Sequence, residues 1–319
     1  MQAHPSREAA QEGFARENSL GIKLVDPSRN FRDPNHKPEL LVAVTEFHAL
    51  AGLRPIGDTL TLLDELAVDS LAPYRTILSK QANSDGMRLV LSSLYELSAE
   101  ELTDAILDLA RQSRVYLGSG GSGGRWATVA QTVIELGDRY PKDPGVIAAL
   151  LLNRLSLKPG EALYLGPGQL HAYLGGIGVE VMGNSDNVLR GGLTSKHVDH
   201  RELLQILKFE SLANPIVQAV PANVGAPGEF DYPTPERDFA VSRFNLSPDH
   251  NSLSFHPEGP EIHLCTSGTI RVTGDHREVT LRPGKALWIP SNTGSVTYSA
   301  TASATVFRTR VGNMSHTNF

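Results

Sequence analysis

The stretch LKPGEALYLGP, Leu157 to Pro167, returns as LRPGKALWIPS, Leu281 to Ser291, nearly position for position. Each copy reads as the end of an apolar strand, a Pro-Gly turn and a second apolar strand, because Pro and Gly mark the point where a strand pattern reverses. The copies lie too far apart for a solenoid, whose repeats recur every ~20–50 residues. Two copies of one β domain fit the spacing, and 319 residues leave room for two or three domains.

Working outward, the first copy runs on into GQLHAY and delivers His171, whereas the second places Ser295 at the matching position. A Pro-Gly turn, an apolar strand and then a histidine resembles the cupins, which are double-stranded jelly rolls. The expected fold is therefore α+β and mainly β: a cupin-type jelly-roll barrel, an inserted helical domain and a second, C-terminal jelly-roll barrel. Only the first barrel is expected to hold a metal, since the second offers no imidazole at that place.

Residues 1–55 read as the first part of the catalytic barrel, with a charged helix from Ser6 to Asn18 and a buried strand from Leu40 to Val44. Residues 56–155 read as the helical insertion. Leu60, Leu63, Leu66 and Ala67 recur at helical spacing, and Ser98 to Glu101 forms a capping box ahead of Leu102, Ile106 and Leu109. Trp126 to Leu136 is again helical in pattern, and Asp143-Pro144 opens a further helix over VIAALLLNRL. The glycine run Gly118 to Gly124 follows no apolar strand and lacks a GKS/T ending, so it reads as an interhelical loop. Residues 156–212 complete the catalytic barrel, and 213–319 form the metal-free one.

The composition, 40% hydrophobic and 20% charged, is that of a globular protein. A net charge of −6 argues against general binding to nucleic acid or anionic membrane, yet leaves room for an anionic substrate in a local basic pocket. The sequence shows no signal-like segment and no membrane span. Its single cysteine, Cys265, excludes an intrachain disulfide, points to a reducing cytoplasm and reads as a small buried hydrophobe in a strand. A monomer is expected.

Chemistry concentrates in His171 to Asp199, HAYLGGIGVEVMGNSDNVLRGGLTSKHVD. Tyr173 follows His171 by two, so a strand points both the same way. Glu180 stands between Val179 and Val181, an alternation that turns the acid away from its apolar neighbours and toward a cavity. Asp186 and Asn187 mark a turn. Arg190 precedes Gly191-Gly192, glycines that let backbone approach a ligand, and arginine binds oxyanions in bidentate fashion. Lys196 closes the series. Elsewhere, Gln2 and His4 share one strand face, and Glu39 and His171 complete a nitrogen/oxygen set that suits zinc, with iron and manganese as competitors. Taken singly, each also has a plain reading: a terminal tail, a solvated turn, a packed histidine. His36 fits a role supporting the ligands.

Gln2-Ala-His4-Pro5, Asn35-His-Lys-Pro-Glu39 and His171 to Lys196 closely resemble, in order, the motifs of the type I phosphomannose isomerases. These zinc enzymes interconvert mannose 6-phosphate and fructose 6-phosphate. The resemblance runs from Gln2 to the chain end and is loose in the helical region. It implies Zn²⁺ held by Gln2, His4, Glu39 and His171, an active-site Arg190, and Lys37 and Lys196 lining the cleft. An aldose–ketose isomerase moves a proton between adjacent carbons through an enediol. Glu180 or Asp186 is the expected base, Arg190 the stabiliser of developing charge, Lys196 the phosphate partner, and Lys37 and Tyr173 further substrate contacts.

In that family a long stretch precedes the Gln-x-His-Pro motif, which stands here at residues 2–5. A natural start further upstream is the expectation. The alternative is a non-catalytic sugar- or metal-binding remnant, with Gln2 on a frayed end. An iron-dependent cupin oxygenase is disfavoured, because Gln2 replaces the first histidine of the usual His-x-His and Arg190 goes unexplained.

Overall fold

A computed structural model describes residues 1–222, 228–275 and 277–312. The parts of the expected C-terminal barrel at 223–227, 276 and 313–319 lie outside the described residues. Helices and antiparallel sheets are combined in layers. The first sheet is ordered Leu152–Leu157, Phe47–Leu53, His171–Gly175, Gln2–Ala3, Leu189–Arg190. Facing it is a sheet ordered Gly178–Met182, Glu39–Ala43, Ala162–Leu165, Ile216–Val217. Leu41, Ala43, Phe47, Ala49, Leu163 and Leu165 form the shared core of this first sandwich.

Alternation along each strand decides what each face meets. Leu40 and Val42 point out of the sandwich to pack with Val241 and Phe307 of the second one, so Glu39, Leu41 and Ala43 point in. Both faces are covered, which is why this strand reads as a continuous apolar run. Likewise Ala3 and Leu50 look outward to the helices, leaving Gln2 and His4 on the inner side.

The helices cover the outer face of the first sheet. Helix Ala99–Gly118 begins with both halves of the Ser98/Glu101 capping box in place and buries Leu102, Ile106 and Leu109. Helix Arg7–Ser19 is capped by the Ser6 side chain. The run VIAALLLNRL departs from the helical reading. Its helix covers Gly145–Ala148 and a short turn, and Leu152–Leu157 is a strand paired with Phe47–Leu53. Apolar runs of this length fit either state, and the neighbouring strand's free edge decides it. Gln2–Ala3 is not a frayed end either, since it pairs with strands on both sides.

The second sandwich has a six-stranded and a four-stranded antiparallel sheet with a core that includes Phe244, Leu253, Cys265, Ile270 and Tyr298. Cys265 is fully buried in strand Glu261–Ser267. Among the described residues no helix is long and apolar enough to cross a membrane.

Candidate metal and substrate site

Gln2 lies directly opposite His171 on one neighbouring strand and opposite Arg190 on the other. Opposed residues in an antiparallel pair share a face, so His171, Gln2 and Arg190 form a row across the first sheet. His4 follows on the same face, and Glu39 reaches in from the facing sheet. The ligating atoms of His4, Glu39 and His171 lie within 4.8 Å of one another, and all three residues are buried. His4 Nε2 is 3.1 Å from Glu39 Oε1, His171 Nε2 is 3.4 Å from Glu39 Oε2, and Gln2 Nε2 is 3.4 Å from His171 Nε2.

These contacts are close but poorly directed. His4 Nε2 and Glu39 Oε2 are buried without a hydrogen-bond partner. Such orphan atoms are costly unless something else satisfies them. A divalent cation between them would do so; two imidazoles and a carboxylate form a donor set that fits zinc, and Gln2 adds an amide oxygen once its amide is turned to face them. The outer ring nitrogens are fixed: His4 Nδ1 is 2.7 Å from the Asn187 carbonyl oxygen, and His171 Nδ1 is 3.0 Å from that of Gln169. A carbonyl can only accept, so each Nδ1 carries the proton and each Nε2 is left for the metal.

Beside this cluster Tyr173 donates its hydroxyl to Glu180 Oε1 at 2.6 Å. Glu180 lies opposite Leu41, whose side chain faces the interior, while Val179 and Val181 pack on the outer side. Burial and then the Glu39 charge raise the Glu180 carboxyl above its ordinary value, with Tyr173 opposing them. Glu180 is nonetheless open to water on one side, as a group meeting substrate must be. Lys37 Nζ sits 3.6 Å from Glu39 Oε1. Arg190 has no acidic partner among the described residues; burial and the nearby Arg32 charge lower its pKa. Its guanidinium is thus available to an anion.

Other expected groups stand apart. Asp186 is exposed, and its backbone N–H is held by Asp33 Oδ2 at 2.7 Å. Lys196 is exposed, and only its backbone N–H is engaged, by Thr194 Oγ1 at 3.2 Å. His36 points to Asp238 and Arg7 rather than to the ligands. Gly191 and Gly192 admit the helical region, not a ligand. A Cβ on Gly191 would press Leu203 at 3.0 Å, and one on Gly192 (φ +115) would meet Asp143 Oδ1 at 2.4 Å. A cavity of ≈ 370 Å³ lies on the helix-covered side of the first sheet, behind Gln2 and His171, between Arg154 and the helix residues Thr132 and Arg139.

Comparison with known proteins gives the family. The family model "Phosphomannose isomerase type I, catalytic domain" matches residues 1–56. The mannose-6-phosphate isomerase of Escherichia coli is 36% identical over 299 residues, covering 93% of this chain and 72% of that protein. The chain belongs to the type I phosphomannose isomerases. The family member from Schizosaccharomyces pombe is 30% identical, with 96% of this chain and 74% of that one covered. Among solved structures, mannose 6-phosphate isomerase from Salmonella typhimurium, bound to fructose 6-phosphate and zinc, superposes with a TM-score of 0.86 at 32% identity. It covers 98% of this chain, and this chain covers 75% of it.

Proposed function

We propose that this chain is a zinc-dependent mannose-6-phosphate isomerase, interconverting mannose 6-phosphate and fructose 6-phosphate by proton transfer through an enediol. The carrying observation is the convergence of His4, Glu39, His171 and Gln2 on one point inside the first sandwich, beside Tyr173, Glu180 and Arg190, in a member of this family. We read that sandwich as a cupin-type jelly roll split by the helical insertion at 56–155, and the second as its metal-free counterpart.

Gln2, His4, Glu39 and His171 would hold the zinc. When bound, zinc supplies Lewis-acid polarisation of the sugar oxygens. Glu180 is the better-supported base of the two acids, because its raised pKa suits proton exchange and its carboxylate is held by Tyr173 beside the ligand cluster, whereas no side-chain partner holds the Asp186 carboxylate among the described residues. Arg190 faces the charge that builds on the enediol oxygens, and Lys37, beside Glu39, holds a sugar oxygen.

A coupled assay tests this reading. Fructose 6-phosphate should form from mannose 6-phosphate, cease with a chelator and resume with zinc. Zinc uptake with sugar binding but no turnover would select a non-catalytic binding protein instead.

A further inference from the structure

The loop carrying Lys37 and Glu39 and the strand carrying Arg190 are joined through one side chain. Asn187 is fully buried. Its Oδ1 accepts from the backbone N–H of Arg32 at 2.7 Å and of Asp33 at 3.2 Å. Its Nδ2 donates to the carbonyl oxygens of Asp33 and Asn35, both at 2.8 Å. Its own backbone carbonyl accepts from His4 Nδ1 at 2.7 Å. One residue therefore links the segments that carry His4, Glu39 and Arg190. It clamps residues 32–35, which lead directly into Lys37 and Glu39. It sets the tautomer of His4. It stands three positions before Arg190.

The chemistry of the amide is matched on every side. Two N–H groups meet an oxygen and two carbonyls meet an NH₂, so neither a carboxylate nor a hydroxyl could serve both pairs. A turn-forming asparagine needs none of this, and a buried amide satisfied at both ends specifies one geometry for what it joins.

We infer that the Asn187 side chain sets the zinc affinity of the site as a positioning group, by fixing the 32–35 loop that leads into Glu39 and, through that anchorage, the placement of its own carbonyl against His4. This rests on the zinc reading above. Partners behind metal ligands typically govern affinity by ~10–100-fold.

The test measures zinc affinity by chelator competition in the full chain for wild type, Asn187→Ala and Asn187→Asp, with the thermal midpoint of each zinc-free protein alongside. Asn187→Asp keeps an acceptor for Arg32 and Asp33 but turns an oxygen against the carbonyls of Asp33 and Asn35. It covers the case in which the alanine variant does not fold. Both variants should bind zinc ~10–100-fold more weakly. The thermal increment on adding zinc should shrink accordingly. A purely structural role would lower the zinc-free and zinc-loaded midpoints equally and leave affinity at the wild-type level, which would overturn the inference. A wild-type chain that takes up no zinc would bring down the zinc reading, and this inference with it.

Discussion

Glu261 holds in the second sandwich the register position that Glu39 holds in the first. Glu39 lies opposite Leu165 and Glu261 opposite Ile289, and these two are matched residues of the internal repeat. Around them the charges have been inverted. Glu180 lies opposite Leu41, while the corresponding place opposite His263 is filled by Arg308. Arg308 donates to Glu261 through Nε at 2.7 Å and Nη2 at 2.5 Å, and to Glu229 through Nη1 at 3.2 Å. Where the first sandwich gathers imidazoles around its buried acid, the second neutralises the acid with a guanidinium.

Removing that guanidinium should be costly. Arg308→Met leaves Glu261 with only His263 and Glu229 with Ser242 and the more distant Arg310, and breaking a buried pair from one side costs about 3–5 kcal/mol. Urea unfolding should show a loss of that size, while zinc uptake stays at the wild-type level because the first sandwich is untouched. Changing Glu261→Gln and Glu229→Gln in the same chain should recover part of the loss. A single-variant effect below ~1 kcal/mol would mean water already solvates these groups.

The same cluster predicts an acid limit. Burial raises the Glu261 carboxyl, but hydrogen bonds from His263 and Arg308 outweigh it and bring the group from 4.5 down to about 2. A carboxyl depressed in the folded state contributes stability that is complete above 4.5 and lost as the pH falls toward about 2. His263, kept neutral by burial, acts with the same sign from the ordinary histidine range downward. The urea midpoint should therefore drop through this window in the wild type and drop less steeply in Glu261→Gln. Parallel curves would remove Glu261 as the cause.

Local features were legible in the sequence because their partners are near. The Ser98 cap and the Leu102, Ile106, Leu109 face need only one helix turn each. The convergence of Gln2, His4, Glu39 and His171 was legible through ordered motifs rather than spacing, since no local rule brings residue 171 to residue 2. Asn187 read as a turn because the amide's partners stand 155 residues earlier. Gly191-Gly192 signalled a close approach, but a glycine does not say what approaches. Here it is the helical region. VIAALLLNRL read as a helix because an apolar run of this length fits a helix or a strand equally, and only the partner strand Phe47–Leu53 selects the second for its end.

Zinc should stabilise the fold through the acid at its centre. A ligand that binds only the folded state adds about 2.7 kcal/mol at a hundred times its dissociation constant. The wild-type thermal midpoint should climb with zinc and fall back with chelator. Glu39→Gln keeps the shape but removes the charge between His4 and His171, so its midpoint should respond weakly to zinc. An equal response in both proteins would place the metal elsewhere.

Tyr173 and Glu180 give the sharpest kinetic prediction. Glu180→Gln cannot take a proton, so turnover should fall by roughly 10²–10⁴-fold. Zinc uptake should persist, because Glu180 is not among the clustered ligands. Tyr173→Phe is subtler. Its hydroxyl donates to the Glu180 carboxylate at 2.6 Å and so favours the charged form, against burial and the Glu39 charge. Without that hydrogen bond the carboxyl should bind its proton more tightly. Glu180 must be ionised to act as base, so the acid limb of kcat/KM should move to higher pH in Tyr173→Phe, with most of the plateau activity retained. A limb that stays in place while the plateau falls would instead make Tyr173 a substrate contact and leave the base to be sought at Asp186.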